Sequence, residues 1–162
     1  MSLKYLNTQI VFQEIPDEVS LAINITQCPN NCKGCHSEYL KEDIGTELTK
    51  TELAKLIEQN EGISCILFMG GDKDRPFLNY LAKFIKNEYD LKVGYYSGLN
   101  HLDHLDLNNF DYVKIGPYIE ELGGLNNPNT NQKLFEVNRL NKLFNKFNLT
   151  DITYKFWKNG NS

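Results

Sequence analysis

Apolar and polar positions along the chain change period several times, and each change marks an element. Residues 3–14 fit a strand or a lead-in, and Leu21-Ala22-Ile23-Asn24-Ile25 reads as a strand rich in strand formers. Residues 49–59 turn helical: Leu53, Leu56 and Ile57 form a stripe, Thr49 is placed to cap it, and Glu52 follows three positions later. Ile63 to Met69 is a short continuous apolar run, the pattern of a strand buried on both faces. The helical period returns over 75–88 through Leu78, Leu81, Phe84 and Ile85. Leu91 to Tyr96 and Tyr112-Val113-Lys114-Ile115 read as further strands, with a short helical piece between them. Beyond a Gly- and Asn-rich stretch at 123–131, residues 133–147 fit a strand or a helix. Ile152 to Trp157 alternates weakly, and Asn159 to Ser162 reads as a frayed end.

Alternating strands and helices imply parallel pairing with crossover connections. A closed eight-unit barrel needs about 250 residues, more than the 162 present. The expectation is therefore an α/β fold in one domain over 1–162, a small partial (βα) barrel with a mostly parallel sheet of about four to six strands. Four segments directly follow a predicted strand: the loop holding Cys28, Gly70-Gly71-Asp72, Ser97-Gly98 and Gly116-Pro117. In parallel α/β folds such loops share one face, where ligands bind.

Composition removes several alternatives. With 17 Lys and Arg against 21 Asp and Glu, the net charge is −4, and the lysines form no stripe. The electrostatic footprint of a nucleic-acid binder is missing. No apolar run approaches the eighteen or so residues needed to span a bilayer. The start, Met1-Ser2-Leu3-Lys4-Tyr5, lacks the pattern of a signal peptide. The expectation is a cytoplasmic protein, where thiols stay reduced and clustered cysteines read as metal ligands.

Three of the four cysteines, Cys28, Cys32 and Cys35, fall within the run Cys28-Pro29-Asn30-Asn31-Cys32-Lys33-Gly34-Cys35-His36. Asn30, Asn31 and Gly34 tolerate the left-handed backbone that wrapping a cluster demands. A four-iron cluster takes four ligands when fully ligated, so three thiolates leave one iron open to a small molecule. The other reading is a structural zinc site built from the same cysteines and His36. Adjacent Cys35 and His36 would then have to bend back onto one ion, and no second cysteine pair is present.

The C-x3-C-x2-C spacing after a first strand resembles the radical S-adenosylmethionine superfamily. That resemblance implies a [4Fe–4S] cluster on Cys28, Cys32 and Cys35 whose open iron chelates S-adenosylmethionine. One electron from the cluster then cleaves the sulfonium to methionine and a 5′-deoxyadenosyl radical. Gly70-Gly71-Asp72 corresponds to the superfamily's Gly-Gly-Glu, which receives the cofactor's amino group; Asp72 is one methylene shorter. Gly34 stands where many members carry an aromatic residue, a substitution common in the activase branch.

Lys114-Ile115-Gly116-Pro117-Tyr118-Ile119-Glu120-Glu121-Leu122-Gly123-Gly124-Leu125, with Pro128, Thr130, Asn131 and Gln132, resembles the anaerobic ribonucleoside-triphosphate reductase activating proteins. By composition alone this stretch is a surface loop. The resemblance implies a partner, the large subunit of an anaerobic ribonucleotide reductase, on which the activase leaves a glycyl radical, and a flavodoxin- or ferredoxin-like electron donor. It implies no catalytic side chain beyond cluster and cofactor. His36, Ser97 and Lys114 join Gly70, Gly71 and Asp72 as candidate cofactor contacts, with Tyr96 near the same rim. Cys65 reads as a buried hydrophobe, His101 and His104 as solvated, and Phe156 and Trp157 as packing residues. The alternatives left open are another small radical enzyme, such as a formate-lyase-type activase, and a non-catalytic zinc or iron–sulfur module.

Overall fold

The computed structural model describes residues 1–35, 37–141 and 146–158. The strands are β1 (Lys4–Val11), β2 (Ser20–Ile25), β3 (Thr46–Glu47), β4 (Cys65–Met69), β5 (Lys92–Tyr96), β6 (Tyr112–Ile115), β7 (Lys133–Asn141) and β8 (Lys146–Asp151). The helices are α1 (Lys50–Glu58), α2 (Arg75–Glu88) and a single turn, α3 (Lys155–Lys158). All eight strands join one sheet in the order β3-β1-β2-β4-β5-β6-β7-β8.

The parallel expectation holds only at the centre. β2, β4, β5 and β6 run parallel, whereas β1 pairs antiparallel with both β2 and β3, β6 with β7, and β7 with β8. A mostly parallel sheet of four to six strands is thus corrected to a mixed sheet of eight, with more antiparallel than parallel pairings. The reason lies in the connections. Parallel neighbours need a crossover, usually a helix, and only α1 and α2 supply helical crossovers of the expected kind. Residues 133–141, left between strand and helix by the sequence, form β7. The weak alternation at 152–157 belongs to a loop and α3. The expected frayed end at 159–162 lies outside the described residues, as do 142–145.

Both helices cover the same face of the sheet. Leu53, Leu56 and Ile57 of α1 and Leu78, Leu81, Ala82 and Ile85 of α2 pack with Leu21, Ile23, Ile25, Ile66, Phe68, Val93 and Tyr95. Side chains alternate across a strand, so Ala22, Leu67 and Tyr112 point to the opposite face. There they meet Ile15, Leu125, Leu134 and Ile152, with Phe156 against them. Trp157 Nε1 donates to Leu125 O at 2.9 Å, so Phe156 and Trp157 tie the chain's last described turn to this second layer. Among the described residues no helix is long and apolar enough to cross a membrane.

Helix starts follow local chemistry. Glu52 N donates to Thr49 Oγ1 at 3.1 Å, capping α1. The Glu52 carboxylate accepts instead from the Tyr5 hydroxyl, and burial, helped by that contact, pushes the phenol up to about 12. α2 is capped by Asp74, which accepts from Phe77 N at 3.0 Å. Replacing Thr49 by Ala orphans the Glu52 N–H, and a urea denaturation series should show stability lowered by about 1 kcal/mol with the slope unchanged.

Candidate functional site

Parallel strands share polarity, so the loops leaving β2, β4, β5 and β6 emerge on one rim. The first is the cysteine loop. Gln27 leads into it with φ +59, and its base is stitched by Gln27 N to Glu42 O (3.2 Å) and Cys28 N to Leu40 O (3.0 Å). Within it Cys35 N donates to Cys32 O at 3.3 Å. Gly34 has φ +76, as its sequence position suggests. Asn30 and Asn31 keep negative φ, contrary to expectation, and Gln27 takes the left-handed position instead.

Cys28, Cys32 and Cys35 are free thiols at intermediate exposure. Ser37 N donates to Cys35 Sγ at 3.4 Å, and Asn30 Nδ2 lies 3.7 Å from Cys28 Sγ. Such donors stabilise thiolate charge. Among the described residues no three Cys, His, Asp or Glu side chains converge on a point that would hold one metal ion. A four-iron cluster asks for something different, one thiolate on each of several irons. Three reduced, accessible thiols in one closed loop fit that donor set. His36 lies outside the described residues.

Next comes the turn after β4. Gly70 and Gly71 take φ +106 and +124, a region where a side chain is strained, and they swing Asp72 back across the rim. The Asp72 side chain is 3% exposed. Its Oδ1 accepts from Ser97 Oγ (2.7 Å) and from the Tyr95 hydroxyl; its Oδ2 accepts from Asn30 Nδ2 (2.6 Å) and Gly98 N (2.9 Å). Arg75 NH2 stands 3.9 Å away and donates to Ser97 Oγ at 2.9 Å, while Arg75 NH1 donates to Asp103 O at 2.8 Å. His101 Nδ1 lies 3.4 Å from the same guanidinium; its side chain is about half exposed, and His104 is exposed.

Lys114 projects to the face opposite the helices. Nearly buried, its ammonium donates to Ser97 O (2.8 Å) and Gly116 O (3.1 Å), the carbonyls where β5 and β6 end. Burial pushes it down to about 8, against the opposing pull of Asp72, Cys32, Cys28 and Cys35. Tyr96 lies 5.7 Å below the ammonium and gives its hydroxyl proton to Glu14 O. The fourth loop closes the rim. Glu120 packs so tightly on Gly34 that a Cβ there would stand 3.0 Å from its carboxyl carbon. A cleft of about 350 Å³ opens between Asn31, Cys32 and Lys33 on one side and Pro117 to Glu121 on the other. Asn131 Nδ2 holds this loop through Pro117 O at 3.0 Å.

The structure therefore brings Cys28, Cys32, Cys35, Gly70, Gly71, Asp72, Ser97 and Lys114 to one rim. Arg75 and Tyr95 were not singled out by sequence, and Asn30 was read there only as a turn residue; together they complete the network. The one available signal was Arg75, a charge opening an otherwise amphipathic helix. Cys65 sits apart, fully buried at the start of β4, its thiol pushed up to about 12 by burial. Comparison with known proteins gives one match: residues 19–119 fit the family described as the 4Fe-4S single cluster domain. That span is more than half the chain and holds the first three rim loops and the start of the fourth. No curated protein and no solved structure matches.

The Lys114 ammonium yields a pH test. In the unfolded chain a lysine titrates near about 10.4, so the folded protein releases this proton first. The cost of the buried charge is present below pH 8 and fades as pH rises toward about 10. Urea denaturation of the cluster-free protein should show the stability of the parent gaining on that of Lys114→Met by roughly 2–3 kcal/mol across this window. Taking the difference between the two proteins cancels Cys65 and the tyrosines; parallel curves would reject the assignment.

Proposed function

The chain belongs to the family of 4Fe-4S single cluster domains, and from that membership we propose that it is a radical S-adenosylmethionine activase. Its cluster is held by Cys28, Cys32 and Cys35, and its substrate is a glycine of the large subunit of an anaerobic ribonucleotide reductase. The observation that carries this reading is the shared rim: a three-thiol loop beside Gly70-Gly71, Ser97 and Lys114. A loop with three cysteines leaves coordination for a small molecule, and the neighbouring groups suit an amino acid. Gly70 and Gly71 present backbone without side chains to the ammonium end, and the Lys114 ammonium offers a cation to the carboxylate end.

The cluster, when bound, supplies the one electron that splits the sulfonium of S-adenosylmethionine. The chain's own residues hold and orient: the stitched base of the cysteine loop fixes the thiols, Tyr96 and Ser97 line the approach from β5, and the second-layer side chains exclude water from beneath. On this reading the parallel core is a shortened (βα) barrel. The cleft between Lys33 and Glu120 is where a glycine-bearing segment of the partner approaches, and a flavodoxin- or ferredoxin-like protein delivers the electron. Activation of a reductase, rather than of a formate lyase, is supported by the Lys114 to Gln132 resemblance.

Anaerobic reconstitution with iron and sulfide, followed by electron paramagnetic resonance, tests the reading. The reduced protein should give a [4Fe–4S]⁺ signal that changes on adding S-adenosylmethionine; a signal indifferent to it leaves an electron carrier and ends the proposal. Cys28→Ala, Cys32→Ala and Cys35→Ala should each lose the signal. Cys65→Ala should keep it, because Cys65 lies at the far end of β4, roughly 13 Å from the rim at about 3.3 Å per residue.

A further inference from the structure

We propose that Asp72 is a positioning residue that locks the cysteine loop onto the rim, and that it does not itself receive the cofactor's amino group. The proposal rests on the iron–sulfur reading of the three cysteines and deepens it. A carboxylate offers about four acceptor sites. Here all four are taken from within the chain: Tyr95 and Ser97 on Oδ1, Asn30 and Gly98 on Oδ2. An incoming ammonium would have to displace one of these charge-assisted bonds from a side chain that is 3% exposed. The shorter acid is thus saturated where a longer one would reach further out.

The donors come from separate loops, which gives the arrangement its purpose. Asn30 lies two residues from Cys28 and reaches it as well, at 3.7 Å. Gly98 has no side chain for a reason independent of φ: a Cβ there would stand 2.6 Å from Asn30 Nδ2. The seat of Asn30 is therefore made by Asp72 from one side and by bare Gly98 backbone from the other. Through Asn30 the cysteine loop is fixed to the loops after β4 and β5. Arg75 holds the far end of the network by donating to Ser97 and Tyr95.

The test separates holding from ligation. Asp72→Asn sets an amide N–H₂ against the donors Asn30 and Gly98. Asn30→Ala breaks the same contact while leaving the carboxylate intact. Both should lose cluster absorbance to an iron chelator about tenfold faster than the parent, the scale of one charge-assisted hydrogen bond. The double variant Asn30→Ala with Asp72→Asn should lose it at a rate within about threefold of either single variant, because both changes break one contact. The reduced Asn30→Ala protein should also still respond to S-adenosylmethionine in its paramagnetic spectrum. Asp72→Asn that keeps its cluster at the parent rate yet loses that response would make Asp72 a cofactor ligand and overturn the proposal. Losses that add up in the double variant would overturn it too. If Asp72→Asn does not fold by circular dichroism, Asn30→Ala decides alone, a parent-like rate refuting the lock. A parent that binds iron but ignores S-adenosylmethionine refutes the activase reading instead, and leaves the chelator comparison valid.

Discussion

Parallel pairing of β2, β4, β5 and β6 constrains everything else in this chain, because strands of one polarity deliver their outgoing loops to one edge. Four segments far apart in sequence have no choice but to meet there. The cost is a crowd of backbone ends and polar side chains at partial burial. Buried polar groups need partners, and here the neighbouring loops supply them. The carbonyls ending β5 and β6 are met by Lys114, the amide after β5 by Asp72, and the base of the cysteine loop by residues 40 and 42. The rim is a hydrogen-bonded plate on which three thiols are mounted.

Charge on that plate is arranged by sign. The buried Asp72 carboxylate lies 3.9 Å from Arg75, and its charge acts on Lys114 along with those of Cys32, Cys28 and Cys35. On the proposed reading, thiolates attached to iron would add negative charge nearby. An ammonium that burial makes reluctant in the bare protein is the counter-charge such thiolates call for. The same residue is thus a liability to the empty fold and an asset to the loaded one.

What the sequence made legible was local. Cys28, Cys32 and Cys35 are neighbours in the chain, so their clustering reads directly from spacing, and the rule that loops after parallel strands share one face located Gly70, Ser97 and Gly116. Helices α1 and α2 read from period and caps because those signals lie within one or two turns. The lock between Asn30 and Asp72 spans 42 positions, and no periodicity encodes it. Asn30 looked like a turn residue, and its amide did the work instead. The flanking strands escaped for a related reason: β3 has two residues, and β8 is half exposed with no apolar run. Their pairing is decided by the sheet they join rather than by their own composition. The left-handed turn fell on Gln27 because the stitched base of the loop, not residue preference, sets the backbone there.

The closed base of the cysteine loop bears on the protein's life with oxygen. In small metal domains the ion is the core, and losing it unfolds the chain. Here residues 27 and 28 are bonded to 40 and 42 by main chain alone, and the apolar layers beneath contain none of the three thiols. If Cys28, Cys32 and Cys35 hold the cluster, as proposed, its loss leaves these bonds and layers in place. On the proposed reading, exposure to air would then cost an inorganic centre rather than a newly made polypeptide.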